Sequence, residues 1–464
     1  MQRRLPLLLL CLGLLLLPGC GEEARPDLMR LYQMGLENAE TTPVILIPGV
    51  FGSKLRDKIT KREVWPGPWY SILFSRYDEL ALEFDPQTLA PKPSHLEAYD
   101  IAEQAFGRDF YRPIIETLTR YGGYVRGIPG RPAGAKERRY YVFAYDWRQD
   151  NVQTARALDQ LIETIRRDYG RPDLRVNIVA HSMGGLIARY YLRYGTIDAL
   201  DGDPHQVTLA GARKVRKLIL LGTPNLGSID SLHAFLSGNP IGWGRIRQET
   251  LATLPSGYQL FPHPLTTWLI DIDGHGLHDN LFDSETWEHY HWSIFDPVVE
   301  ARIRSDSDAP DQHLDALRRY FKYQLERGRR FTWNLSVAEP SSPIRYVLFG
   351  GDCTLTSARL LIEQADGKFA VRLNPKEIRH PKPGVRYDEL MFEPGDGRVT
   401  KPSLLARQTL DPSAPQHEDS FLPVAYSFFL CESHNKLTNN VNFQDNLLNV
   451  LLTRNLPWEM AETH

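Results

Sequence analysis

The 464-residue chain is short of several features that would mark a specialised class. Its four cysteines, Cys11, Cys20, Cys353 and Cys431, are too few for a disulfide-stapled scaffold. Neither sign of charge is in excess: 54 Lys and Arg stand against 57 Asp and Glu, for a net −3. Loss of the first nineteen residues, which hold Arg3 and Arg4 and no acid, would take this to −5. No basic surplus is available for a phosphate backbone, so nucleic acid is not an expected partner. Fixed-period repeats and low-complexity tracts are absent, which sets repeat arrays aside. With 42% hydrophobic residues, the length suffices for one large core plus an insertion.

The most informative segment is Val176 to Gly185, Val-Asn-Ile-Val-Ala-His-Ser-Met-Gly-Gly. A β-rich run leads through Ala180 and His181 to Ser182, Met183 and two glycines, and then to a helical stretch, Leu186 to Tyr194. This is the form of a nucleophile elbow, in which strand and helix backbones nearly touch and small residues are needed two before and two after the serine. The fold it predicts is α/β: an α/β-hydrolase core with a mostly parallel sheet flanked by helices.

A nucleophilic serine needs a base, an orienting acid and an oxyanion hole, with the acid and then the histidine following it along the chain. His434 lies just past the strand-like run Val424 to Leu430 and ahead of an amphipathic segment, Val441 to Leu452. Two acids compete. Asp396 occupies a glycine-flanked turn, and Asp352 directly follows the strand Arg345 to Phe349; turn chemistry alone leaves them equal. The apolar strand Thr42 to Ile47, broken by Pro48-Gly49 and Gly52, offers an oxyanion loop. Phe51 and Met183 would supply its two backbone N–H groups.

The blocks Pro43–Leu55, Ala144-Tyr-Asp-Trp-Arg148, Ala180–Gly185, Gly395-Asp-Gly-x-Val399 and Ser433-His-Asn435, in this order, resemble the lecithin:cholesterol acyltransferase family, which includes lysosomal phospholipase A2 and the phospholipid:diacylglycerol acyltransferases. The resemblance implies Ser182 as nucleophile, Asp396 rather than Asp352 as acid, His434 as base, and Phe51 with Met183 as oxyanion donors. It implies a lipid or phospholipid acyl donor, water or an alcohol as acceptor, and no cofactor. Ala180 departs from the usual elbow glycine, and Arg398 and Thr400 depart from the usual residues after the acid; these place the substrate in question. The alternative function is a non-catalytic lipid-binding envelope lipoprotein on the same scaffold.

Arg3 and Arg4 precede an apolar run, Leu5 to Leu17, too short to span a bilayer comfortably and right for a signal-peptide core. Leu17-Pro-Gly-Cys20 followed by a polar tether resembles a bacterial lipoprotein signal, with Cys20 the lipidated residue. The expected location is the cell envelope, lipid-anchored at a membrane surface. Expected boundaries are a signal over 1–19, a tether over 20–42, the core over 43–222 and 342–455, and a lid and cap over 223–341. Residues 57–101, with Trp65, Trp69, Tyr70, Ile72, Leu73 and Phe74, are expected to form an insertion that is either membrane-binding or a subdomain core. Ile229 to Ile246 has the mixture of a mobile lid.

If the strands before Cys353 and Cys431 are neighbours, their sulfurs share one sheet edge and could bridge; the alternative is two buried thiols. Asp271, Asp273, His275, His278, Asp279, Asp283, His289 and His291 crowd the cap sequence, but no zinc spacing is met and no metal is expected.

Overall fold

The structure is a computed structural model and describes residues 26–33, 35–68, 75–105, 108–134, 136–202, 206–337, 342–365, 367–407 and 422–454. Cys20 and the leader, and Trp69 to Phe74, lie outside the described residues.

Seven strands make the central sheet: β1 (Val44–Ile47), β2 (Val125–Arg126), β3 (Arg139–Val142), β4 (Val176–His181), β5 (Val215–Leu221), β6 (Tyr346–Gly351) and β7 (Val424–Leu430). Their order across the sheet is β7-β6-β5-β4-β1-β3-β2, and every neighbouring pair is parallel. Continuous apolar runs such as Val-Ile-Leu-Ile in β1 suit strands covered on both faces. Ile47 pairs with Ala180 and Leu221 with His181, so β1, β4 and β5 end level. The chain leaves β1 toward β3 and leaves β4 toward β5. That divergence opens a crevice at the carboxyl ends of β1 and β4, where open α/β sheets bind ligands.

Helix α1 (Asn151–Asp168) covers the sheet with Val152, Ala155, Leu158, Ile162 and Ile165, spaced three and four residues apart, and Asp150 caps it by accepting from the Val152 N–H. Helix α2 (Met183–Tyr194) is buried on all sides. Its two charged residues are satisfied by the cap. Arg189 donates to the Leu335 carbonyl at 2.6 Å and to Asn225, and Arg193 donates to the Asn334 carbonyl at 3.0 Å.

Those carbonyls end a 27-residue cap helix. With α3 (Ile229–Ser237) counted before it, this is α4 (Pro310–Ser336), whose last carbonyls lack helical partners and carry the negative end of its dipole. Arg327 of α4 also pairs with Asp150 and Asp198, at 2.9 and 3.2 Å. Breaking one partner of so buried a pair typically costs about 3–5 kcal/mol, so Arg327 fastens α4 to the N-cap of α1 and to the segment that follows α2.

Among the described residues five small sheets lie outside the central one, two of them three-stranded. Ser53–Asp57, flanked by Glu63–Trp65 and Leu96–Ile101, forms an antiparallel sheet directly after the first loop. Leu269–Ile270 pairs with Leu360–Ala365, which pairs with Lys368–Arg372, so this hairpin from the second core segment joins the cap and not the central sheet. The pairing of Gly351 with Leu430 brings Cys353 and Cys431 together in a disulfide, with 5.0 Å between their Cα atoms. The last helix, α5 (Val441–Leu452), packs Phe443, Leu447 and Leu451 onto the face opposite the cap.

Candidate active site

Ser182 stands between β4 and α2 at φ 53, ψ −125, and its own N–H is held by the Leu221 carbonyl at 2.8 Å. A positive φ at a non-glycine residue stores strain and is kept only where the surroundings enforce it. The enforcement is visible at Gly184: a Cβ there would stand 2.6 Å from the Pro48 carbonyl oxygen. Strand, helix and first loop are therefore in contact through backbone alone, and the serine is pushed outward into a cavity of about 340 Å³.

Asp396, from between β6 and β7, and His434, from just after β7, reach the same place. The chain leaves β6, runs out through Thr354–Ser357, and returns antiparallel to it along Phe392–Gly395, ending at Asp396. The Asp396 turn is tied by the Arg398 and Val399 N–H groups, both donating to Oδ1, and by Gly397 N–H donating to Thr356 Oγ1. Asp396 Oδ2 lies 2.8 Å from His434 Nδ1, and the His434 N–H donates to the Asp396 carbonyl at 2.9 Å. Burial works to raise the Asp396 carboxyl. The His434 charge and hydrogen bond and the two N–H groups outweigh it, so the net shift is downward and the carboxylate form is favoured. Asp352, the rival acid, is instead ion-paired to Lys401 at 2.9 Å.

The loop after β1 faces the serine from the other side. Phe51, at φ 64, lines the cavity, and Met183 heads α2, whose first-turn N–H groups have no partner within the helix. Neutral bonds truss this loop. Trp65 Nε1 donates to the Phe51 carbonyl at 2.8 Å, Tyr145 Oη donates to the Pro48 carbonyl at 2.8 Å, and the Gly49 N–H donates to Tyr111 Oη at 2.9 Å. Trp65 is only 3% exposed and packs on Phe51, Tyr77 and Trp147. Of the two roles expected for the aromatic insertion, Trp65 therefore serves as core; Trp69, Tyr70, Ile72, Leu73 and Phe74 lie outside the described residues.

Two residues that the sequence did not single out complete this wall. Tyr111 Oη accepts from the Gly49 N–H and lies 2.9 Å from His181 Nδ1, so the hydroxyl bridges the two. His181 also makes a hydrogen bond to the His434 main chain. Burial, helped by the nearby His434 charge and opposed by Asp396, pushes His181 down to about 3, so it is neutral at any ordinary pH. His181 was legible only as a neighbour of the serine, and nothing in the pattern around Tyr111 marks it.

Most of the rest of the cavity wall is apolar, with Trp147, Phe235, Ile241, Leu251, Leu254 and Leu260 along its sides, and its polar residues include Ser228, Asp230, Asn239 and Arg398. Helix α3 and the Asn239–Ile241 and Gly244–Ile246 hairpin contribute to the lining.

Residues 133–290 match the family model described as lecithin:cholesterol acyltransferase. The chain is similar to the lysosomal phospholipase A and acyltransferase of Rattus norvegicus, 23% identical over 317 residues, covering 60% of this chain and 65% of that protein. Its similarity to the Homo sapiens protein of the same name is 25% over 279 residues, covering 52% and 61%. The chain thus spans less than two thirds of the length of these curated relatives. A chain in the crystal structure of the Tle4-Tli4 complex matches with a TM-score of 0.56 at 17% identity, covering 88% of this chain and 98% of that one, which is a likeness of fold. The fold is that of an α/β-hydrolase.

Proposed function

We propose that this protein is a serine-dependent lipid acyl hydrolase or O-acyltransferase. The observation that carries the reading is the contact of His434 Nδ1 with the buried Asp396, in a pair that opens on the same cavity as the strained Ser182. Ser182 Oγ attacks the acyl carbonyl while His434 Nε2 takes its proton, and Asp396 holds the imidazolium that results. The Phe51 and Met183 N–H groups receive the oxyanion, a donor of this kind being worth about 10²–10³ in rate. The carbonyl–oxygen bond to the leaving alcohol then breaks, His434 returns the proton to that alcohol, and an acyl-serine remains. Water or a second alcohol, deprotonated by His434, attacks the acyl-serine and releases free acid or a new ester.

The largely apolar cavity wall and the similarity to proteins named phospholipase A and acyltransferase support a lipid ester as substrate. The test is incubation of the full chain with defined phospholipids, with and without an alcohol acceptor, measuring free acid against ester product. Wild type forms one or both and Ser182→Ala forms neither. Turnover unchanged in Ser182→Ala overturns the mechanism and leaves a lipid-binding role.

The sequence supports an envelope location through lipidation at Cys20, each buried CH₂ of an attached chain adding about 0.8 kcal/mol of membrane affinity. Detergent partitioning that is lost in Cys20→Ser is the expected result.

A further inference from the structure

An ester whose carbonyl meets Ser182 and whose acyl chain fills the apolar depth must direct the remainder of its molecule toward the mouth of the cavity. The mouth is not uniform. Among the described residues lining the cavity, one side chain is a permanent cation, Arg398, and one is a carboxylate, Asp230. They are ion-paired to each other across the opening, Arg398 from the turn that bears Asp396 and Asp230 from the first turn of α3.

The main chain at Arg398 is fixed at both ends of its peptide. Its N–H donates to Asp396 Oδ1 at 3.0 Å, and its carbonyl accepts from Ser228 Oγ at 2.7 Å. Whatever the guanidinium binds is therefore held in register with the acid and base of the site. The side chains are another matter. They are 51% and 41% exposed, so the pair is screened by water and worth little as a fastening. Each partner can exchange the other for a ligand charge at small cost, and a guanidinium suits phosphate in particular.

We propose that Arg398 and Asp230 form a headgroup subsite for a zwitterionic phospholipid, Arg398 taking the phosphate and Asp230 the ammonium of an ethanolamine-type headgroup. The exchange conserves charge: one internal pair is replaced by two pairs with the ligand, and no charge is left uncompensated. A purely anionic headgroup meets Arg398 equally well but also faces the Asp230 carboxylate, and a headgroup-free lipid gains from neither. This assignment rests on the serine-ester reading above and names the class of lipid that reading would prefer.

The experiment measures kcat/KM for phosphatidylethanolamine, phosphatidylglycerol and diacylglycerol of identical acyl chains, each presented in neutral detergent micelles. Wild type, Arg398→Gln and Asp230→Asn are compared through ratios taken within each protein, so that any general loss cancels. Wild type should favour the ethanolamine lipid over the glycerol lipid by about fivefold, the scale of a half-exposed charge contact. Asp230→Asn should bring that ratio close to one. Arg398→Gln should lower both phospholipids by about fivefold relative to diacylglycerol.

Ratios identical in all three proteins, or equal losses on all three lipids, would overturn the proposal and leave the pair as a structural fastening. So would wild-type turnover of diacylglycerol with neither phospholipid used. Should Arg398→Gln not fold, the Asp230→Asn ratio decides alone. Failure of the serine reading is distinguishable, since it appears as activity surviving in Ser182→Ala whatever the ratios are.

Discussion

The two walls that face Ser182 are built by opposite means. On one side Asp396 and His434 are joined by a charge-assisted bond and by a main-chain bond between the same two residues. On the other, Gly49, Tyr111, His181 and Trp65 are joined by neutral hydrogen bonds only. The two imidazole centroids are 4.7 Å apart, yet they have different fates. His434 has a carboxylate behind it, which in the proposed mechanism holds the imidazolium. His181 has a phenol behind it and remains a neutral fixture. Burial alone does not distinguish a proton carrier from a positioning residue; the partner does.

On this division, damage to the charged wall costs most. Asp396→Asn should lower turnover of a soluble ester by about 10⁴, as for a triad aspartate that fixes the tautomer of its histidine. Asp352→Asn, which loses only a pair with Lys401, should stay within a few-fold of wild type. The reverse ranking would move the acid to Asp352.

A subtler break is Gly222→Ala. Gly222 has φ +53, and a Cβ there would stand 2.9 Å from His434 Nδ1 and 3.0 Å from Asp396 Oδ2. A displacement of the pair by a fraction of an ångström should cost about 10² in kcat. Circular dichroism should show the fold retained.

The neutral wall should matter less. Tyr111→Phe keeps the ring but leaves the Gly49 N–H and His181 Nδ1 without the hydroxyl between them. About a tenfold fall in kcat is expected, the scale of one lost hydrogen bond, with KM for a short ester little changed. A fall in KM-linked binding instead would assign Tyr111 to the substrate pocket.

The last effect is on stability and leaves the chemical step aside. His181 has a folded pKa of about 3 against an ordinary 6.5. Between these values the unfolded chain binds the proton and the folded one does not. Stability from this residue is thus complete above pH 6.5 and is lost as pH falls toward 3, at up to about 1.4 kcal/mol per pH unit. His181→Gln should remove that component from the pH dependence of urea unfolding. An unaltered slope would mean that His181 takes up a proton in the folded protein.

What could be read in the sequence follows from how local each feature is. The Val176–Gly185 elbow is strand, turn and helix in ten consecutive residues, and its alternation of apolar and small residues carries the geometry. The parallel sheet is likewise visible in its continuous apolar runs. Asp396 and Asp352 were not separable by turn chemistry, because the choice depends on which turn the return strand Phe392–Gly395 delivers to His434. Trp65 belongs to an aromatic-rich stretch whose role, membrane or core, depends on packing against Phe51 and Trp147, residues scattered along the chain. The hydrogen bond linking Tyr111 to His181 joins positions 70 residues apart, and no spacing rule reaches that far.

The central claim is that Ser182 carries the acyl group between donor and acceptor. It is tested most directly by acid-quenching the enzyme within its first turnovers on a slow ester and mapping the modified peptide by mass spectrometry. The account predicts one acyl group on Ser182, in the peptide containing Ala180-His-Ser-Met-Gly-Gly185, and none in Ser182→Ala. Turnover with Ser182 unmodified, or an acyl group found on another residue, would contradict it.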